Sequence, residues 1–305
     1  MNQPGSESVS TAPLYPLVLP ETRKTDLSRP LRKDVSGLIL KNLTLLSALL
    51  AASVLIILAG FIIARGVPYL NWDMFSWKST TENLSMLPAI LNTLLICAGS
   101  LLISVPCGVG AAIYLQEYAK PGSKFTALAS LMAETLSGIP SIVFGLFGML
   151  FFAGTLHLQL SVLSGMLTMA MMVLPLVVRT SQEALAQIPD SMRQASYALG
   201  AGRVHTIFKT LLPQAAAGIF SGILLSAGRI IGESAALIYT AGTIAKVALN
   251  LSDPGATLSV HLFKLLNEGL FIDQAGAVAL VLLVVVCLLN LAQILLCRKM
   301  TKGLK

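Results

Sequence analysis

Long apolar runs separated by short charged clusters dominate this chain. Asn42–Ala64 is a run of 23 residues without a charge, Asn83–Gln116 one of 34, and Thr135–Val178 one of 44. A helix needs about 20 apolar residues to cross a bilayer core. The first run predicts one span. The second holds another, roughly Ala89–Leu115. The third is too long for one crossing, so it holds spans 3 and 4, with Thr155-Leu156-His157 as the turn; span 3 can begin before Glu134. Span 5 starts near Leu212-Pro213, and Gln274–Cys297 is span 6. The expectation is an all-α, polytopic membrane protein with six transmembrane helices.

The segments between the runs have their own patterns. Residues 1–34 are rich in Pro, Ser and charge, without the apolar core of a signal peptide, and read as a disordered tail. Tyr69, Trp72, Phe75 and Trp77 suit a membrane-interface belt. Asn250–Gly255 is a turn cluster, and Ser259–Leu270 predicts a short surface helix. The order is a tail (1–34), a first span with its outer loop (35–84), a transmembrane domain (85–298) containing an inner loop at 180–213, and a second tail (299–305). No tandem repeat is visible.

Composition agrees with the spans. The 305 residues are 55% hydrophobic and 11% charged, with a mean hydropathy of +0.80; soluble domains carry about 25% charged residues. A net charge of +7 could suggest nucleic acid. The distribution excludes that class: sixteen of the 21 Lys and Arg residues fall on one predicted side, in the two tails and in the loops holding Lys120, Lys124, Arg179, Arg193, Arg203 and Lys209. By the positive-inside rule both termini are cytoplasmic. Cys97, Cys107, Cys287 and Cys297 lie in or beside apolar runs without metal or disulfide spacing and read as small buried hydrophobes.

The inner loop is too regular to be a linker. Pro189 suits a first helical turn, and Met192, Ala195, Ser196 and Leu199 form a stripe. Gly200 and Gly202 break the helix, since glycine accepts the left-handed backbone of a helix end. Val204, Ile207, Phe208, Leu211 and Leu212 share the face of a second helix, and Pro213 opens the next. Two readings follow from the pattern: an amphipathic hairpin resting on lipid, or a docking knob for a cytoplasmic partner.

The stretch QASYALGAGRVHTIFKTLLP, Gln194–Pro213, resembles the EAA loop of bacterial ABC importer permeases. There the order is Glu-Ala-Ala, three residues, Gly, nine residues, Ile, one residue, then Leu-Pro. Gln194, Ala195 and Ser196 stand at Glu-Ala-Ala, Gly200 is in register, Thr210 replaces Ile, and Leu212 and Pro213 close the motif. LSGIPSIVFGLFGM (136–149) and GRIIGESAALIYTAG (228–242) resemble signatures of phosphate-specific permeases of the PstA and PstC type. The Arg-x-x-Gly-Glu core also occurs in sulfate and molybdate permeases. The resemblance spans about 85–300 and implies a MetI-like permease fold. It also implies a second homologous permease subunit, two cytoplasmic ATP-binding subunits holding ATP and magnesium, and an extracytoplasmic phosphate-binding protein. It places the protein in the bacterial cytoplasmic (inner) membrane, in contact with lipid, with no cofactor on this chain. It gives the hairpin the role of docking the ATPase.

Arg229 and Glu233 remain to be explained. A charge at mid-bilayer costs about 2.5–3.5 kcal/mol or more. Gly218, Gly222, Ser226, Arg229, Glu233 and Thr240 recur on one helical face, suited to close packing at its glycine end and to a polar path from Ser226 on. Arg229 and Glu233 at i, i+4 can pair, and Arg229 lies about 24 Å beyond Pro213 along a helix, in the middle-to-outer membrane. Either the pair locks two helices, or Arg229, Glu233 and Ser226 line an anion path. Pro140 and Pro106 are expected to kink their helices, Gly138, Gly145 and Gly148 to allow packing or a bend, and Glu134 to be a gate or an interfacial charge.

No Walker loop, no His-Glu-x-x-His and no nucleophile–base set is present, so the chain reads as a non-catalytic, metal-free subunit. Rival functions are a sulfate or molybdate permease, a self-contained anion channel or secondary transporter, and a membrane scaffold.

Overall fold

The computed structural model describes residues 35–77, 85–120, 123–269 and 271–302. The expected tail at 1–34, Lys78 of the outer loop and the last residues, 303–305, lie outside the described residues.

Contacts divide the chain into two units, one ending at Val54 and one starting at Leu55. The described part of the first is the beginning of helix α1 (Val35–Gly66), whose side chains from Gly37 to Val54 are all exposed. That stretch has a helical sequence but no apolar face to bury, because it is apolar all round.

The second unit is built on α2 (Leu87–Ile113), α5 (Val162–Ala186) and α8 (Leu212–Gly232). α5 is the most enclosed of the long helices and lies between the other two. Small residues set the spacing. A Cβ on Gly108 would meet Val177 at 2.7 Å, one on Gly218 would meet Ala184 at 2.6 Å, and one on Gly222 would meet the Thr180 hydroxyl at 2.0 Å. The glycine end of the expected stripe therefore packs against α5, as small residues do where membrane helices touch.

Between α2 and α5 the chain makes α3 (Lys124–Ser137) and α4 (Ser141–Gly148), the latter continued by a π-helical stretch, Met149–Thr155. Together α3 and α4 are apolar enough for one span, but only as a broken one. They are two helices bent by 98° at Gly138-Ile139-Pro140. Pro140 has no N–H to continue the ladder and disfavours helical backbone at the residue before it. Pro106 does less: α2 continues through it. The turn at 155–157 is present, with left-handed His157 and Gln159. Among the described residues five helices are long and apolar enough to span, or six if the bent pair counts as one.

After α5 come α6 (Asp190–Ala198) and α7 (Arg203–His205). A π-helical stretch, Thr206–Leu211, joins α7 to α8, so one helix runs from Arg203 to Gly232. The helix that holds the expected span 5 thus begins nine residues before Leu212, at Arg203. Pro213 cannot donate to the carbonyl four residues back, and the wide turn just before it absorbs that loss without ending the helix.

The chain then forms α9 (Ala235–Thr240), a folded loop, α10 (Leu258–Glu268) and α11 (Ile272–Lys302). The loop is held from below. Asn92 of α2 donates to the carbonyls of Lys246 (2.8 Å) and Ala256 (3.2 Å) and accepts from Ala248 N–H (3.1 Å). Its carbonyls at Asp253 and Leu251 take the free N–H groups of Val162 and Leu163 at the start of α5, which a helix must otherwise leave unpaired. α10 is not a plain surface helix, since Leu258, Val260, His261 and Leu265 are buried. The cysteines also differ from expectation. Only Cys97 is buried; Cys107 and Cys287 are exposed on this subunit, because their helix faces look outward.

Candidate functional site

The loop expected at 180–213 folds as a helical hairpin. α6 starts after Pro189 and carries Gln194, Ala195 and Ser196. It ends at Gly200, whose φ of +80° is the left-handed conformation that glycine accepts without a Cβ clash. Nothing lies within 4 Å of where a Cβ would stand. The demand on Gly200 is therefore conformational, not steric. The Ser196 and Thr206 hydroxyls bond across the hairpin at 2.8 Å.

Met192, Ala195, Ser196, Leu199, Gly202 and His205 line an open groove of about 630 Å³. Leu199, at its lip, is 89% exposed. The second arm does not bury one whole face. Ile207 and Leu211 are buried against α5, while Val204 and Phe208 project outward. The π-helical stretch widens each turn, so a spacing read at 3.6 residues no longer keeps these side chains together. Leu212 and Pro213 sit in the first turn of α8, Leu212 half-buried and Pro213 exposed.

Arg193, beside Gln194, stands out in the hairpin. Its Nη2 lies 2.9 Å from Glu117 Oε1, and its Nε 3.2 Å from the same oxygen. Its other N–H groups reach the carbonyls of Ile188 (2.9 Å) and Leu185 (3.1 Å) and the Asp190 carboxylate (2.9 Å). The guanidinium thus closes the C-terminal end of α5 and grips the π-helical stretch Tyr114–Tyr118 that follows α2. The hydrogen bond to Glu117 pushes the Arg193 pKa above its ordinary value, against the cost of burial. Sequence pattern gave no sign of this pair, whose members are 76 residues apart. The one available signal was a lone acidic residue at the end of an apolar run.

Arg229 lies in the last turn of α8. Glu233 is not on the same helix. Its backbone is extended (φ −79°, ψ 128°), and it stands between α8 and α9. Its carboxylate accepts from Ala236 N–H at 3.3 Å, at the start of α9, and its carbonyl accepts from the Ser259 hydroxyl. The expected i, i+4 ion pair is therefore not formed: among the described residues no carboxylate pairs with Arg229. The one-faced stripe ends there too. Ser226 is fully buried and donates to the Gly222 carbonyl, the buried face continues to Ile230, and Thr240 belongs to α9. Arg229 itself is half-buried. A cation in the last turn is favoured by the helix dipole.

Gly145 approaches α9 closely; a Cβ there would lie 2.6 Å from Ala236 Cα. Gly138 caps α3 beside the Pro140 bend, where a Cβ would make ordinary contact with the Thr135 carbonyl at 3.5 Å. Glu134 is exposed and 4.0 Å from Arg179. Among the described residues no group of three or more His, Cys, Asp or Glu side chains could hold a metal ion.

Comparisons with known proteins fit this architecture. Residues 104–301 match the model of the family described as binding-protein-dependent transport system inner membrane component. A probable ABC transporter permease protein, YqgI, of Bacillus subtilis is 33% identical over 265 residues, 81% of this chain and 90% of its own length. The phosphate transport system permease protein PstA of Haemophilus influenzae is 32% identical over 74% of this chain and 82% of its own. Among solved structures, a chain of the inward-facing MetNI methionine ABC transporter superposes with a TM-score of 0.60 at 19% identity, over 70% of this chain and 95% of its own. A chain of a bacterial alginate ABC transporter superposes with a TM-score of 0.62 at 17% identity, over 86% and 96%. Both likenesses concern the fold alone. With its helical bundle, its glycine-turned hairpin and these relatives, the chain belongs to the binding-protein-dependent transport system inner membrane components and is a multi-pass ABC importer permease subunit of the PstA type.

Proposed function

We propose that this subunit forms half of the translocation pathway of an ATP-driven inorganic phosphate importer, paired with a second homologous permease. Relatives that are themselves phosphate transport permeases favour phosphate over sulfate or molybdate. Two cytoplasmic ATPase subunits, which hold the ATP and magnesium, dock at the groove of the Gly200 hairpin; an extracytoplasmic binding protein delivers phosphate. This chain carries no catalysis of its own. Its transmembrane domain is 85–298 and its coupling loop 180–213, with both termini in the cytoplasm, as the bias of basic residues requires.

The observation that carries the anion path is Arg229: a half-buried guanidinium in an apolar helix, without a carboxylate partner among the described residues. An unpaired cation is costly at membrane depth unless water or an anion meets it. A phosphate oxygen accepts charge-assisted hydrogen bonds from such a fork. Glu233, bonded to α9 rather than to Arg229, limits the net positive charge so that the anion is released as well as bound. Ser226 supports the same turn from its buried side.

The test is to purify the complex through a tag on this chain and identify what accompanies it. A second permease, an ATPase and phosphate-stimulated ATP hydrolysis are expected; a lone chain, or stimulation by molybdate or sulfate instead, would refute the assignment.

A further inference from the structure

The hairpin is covalently continuous with α5 and α8, so motion at the groove reaches those helices along the chain. It has no covalent link to α2 or α3. The contacts show a second route. Arg193 spends all five of its N–H donors: Nε and one on Nη2 go to Glu117, the other on Nη2 to the Leu185 carbonyl, and the two on Nη1 to the Ile188 carbonyl and Asp190. The pair is enclosed, with side-chain exposures of 15% for Arg193 and 5% for Glu117. The second arm contacts the neighbouring residue, since Arg203 lies over the Tyr118 ring, 5.2 Å from its centre. Tyr118 stacks on Tyr114 at 6.4 Å, and Tyr114 meets Phe125, at the start of α3, edge-on at 6.5 Å. Both arms of the hairpin therefore hold consecutive residues of one π-helical stretch, a type of irregularity common at functional positions, and from there contacts continue to α3.

We infer that Arg193–Glu117 is a strut that makes the hairpin and the α2–α3 corner one mechanical body, so that a push on the hairpin turns α2 and α3 as well as α5 and α8. Both are positioning residues; neither touches the transported anion. A saturated Arg fork is the chemistry such a strut needs. A bidentate guanidinium–carboxylate pair fixes orientation as well as distance, and lysine, with three donors on one point charge, cannot replace it. Because the strut transmits only what the ATPase delivers, it depends on the docking proposed above.

Purified complexes carrying Glu117→Gln and Glu117→Ala, beside wild type and Gly200→Val, separate the two. Each is assayed for co-purified ATPase, for ATP hydrolysis and for phosphate uptake in vesicles. In parallel, spin labels at positions 128 and 197, in a cysteine-free background, report the distance between α3 and the hairpin with and without a non-hydrolysable ATP analogue. Glu117→Ala is expected to keep its ATPase subunits and its hydrolysis while most of the uptake per ATP is lost, and Glu117→Gln to fall between it and wild type. The 128–197 distance is expected to stay constant with nucleotide in wild type and to change in Glu117→Ala. Wild-type uptake with an unaltered distance in Glu117→Ala would overturn the strut while leaving docking intact. Loss of the ATPase from Glu117→Gln would also overturn it, by making the pair a docking or folding element. Normal ATPase retention and uptake in Gly200→Val would instead refute the docking itself.

Discussion

Arg229 stands in the last turn of α8 with no carboxylate partner among the described residues, while Glu233, four residues on, directs its carboxylate to the Ala236 amide at the start of α9. The chain leaves helical geometry between them. Two charges that would neutralise each other on a continuous helix are thereby kept apart, and the proposed function gives the first to the anion while the second holds α9.

Arg229→Ala should leave assembly and ATP hydrolysis intact while phosphate uptake falls by about tenfold to a hundredfold, the loss of a charge-assisted hydrogen bond or two at about 1.5–3 kcal/mol. Uptake in reconstituted vesicles measures this. A complex that fails to assemble would make Arg229 a helix-locking residue.

Glu233 can be tested apart from its charge. Glu233→Gln keeps an oxygen for the Ala236 amide and should leave thermal stability unchanged. Glu233→Ala removes a cap and should cost about 1 kcal/mol. Thermal unfolding of the purified subunit in detergent distinguishes the two.

The α5–α8 contact has almost no tolerance. A Cβ at Gly222 would stand 2.0 Å from the Thr180 hydroxyl and 2.6 Å from its Cβ. Gly222→Ala should destabilise by about 1–3 kcal/mol, and Thr180→Gly in the same chain should restore part of the loss. Unfolding midpoints of the single and double variants check this, and simple additivity would argue against a direct clash.

Much of this architecture was legible from apolar run length. The span expected at Ala89–Leu115 became Leu87–Ile113, and the Gly200 turn was found from its motif and has the left-handed backbone that glycine permits. The faces were harder to read. In the second arm of the hairpin both outward and buried positions are apolar, so hydropathy does not tell Phe208, exposed, from Ile207, buried. The Glu233 break was hidden because an i, i+4 spacing of opposite charges is also a good helical pattern. Pro140 was recognised, but a proline does not say whether it kinks a helix or, as here, separates two at 98°. Arg193 counted only as one more basic residue, because its partner is distant in sequence and only folding brings them together.

Gly200→Val should fold, since no atom crowds the site, but a β-branched side chain at φ +80° is strained by about 1–2 kcal/mol. The hairpin is expected to lose its turn and its hold on the ATPase. Pull-down of the ATPase by the variant, compared with wild type, reads this directly.

The central claim is tested most directly by phosphate uptake into vesicles containing the purified complex. Radiolabelled phosphate should accumulate only with ATP and the external binding protein present, with sulfate and molybdate failing to compete. Uptake by this chain alone without ATP, or accumulation of molybdate or sulfate in place of phosphate, would contradict it.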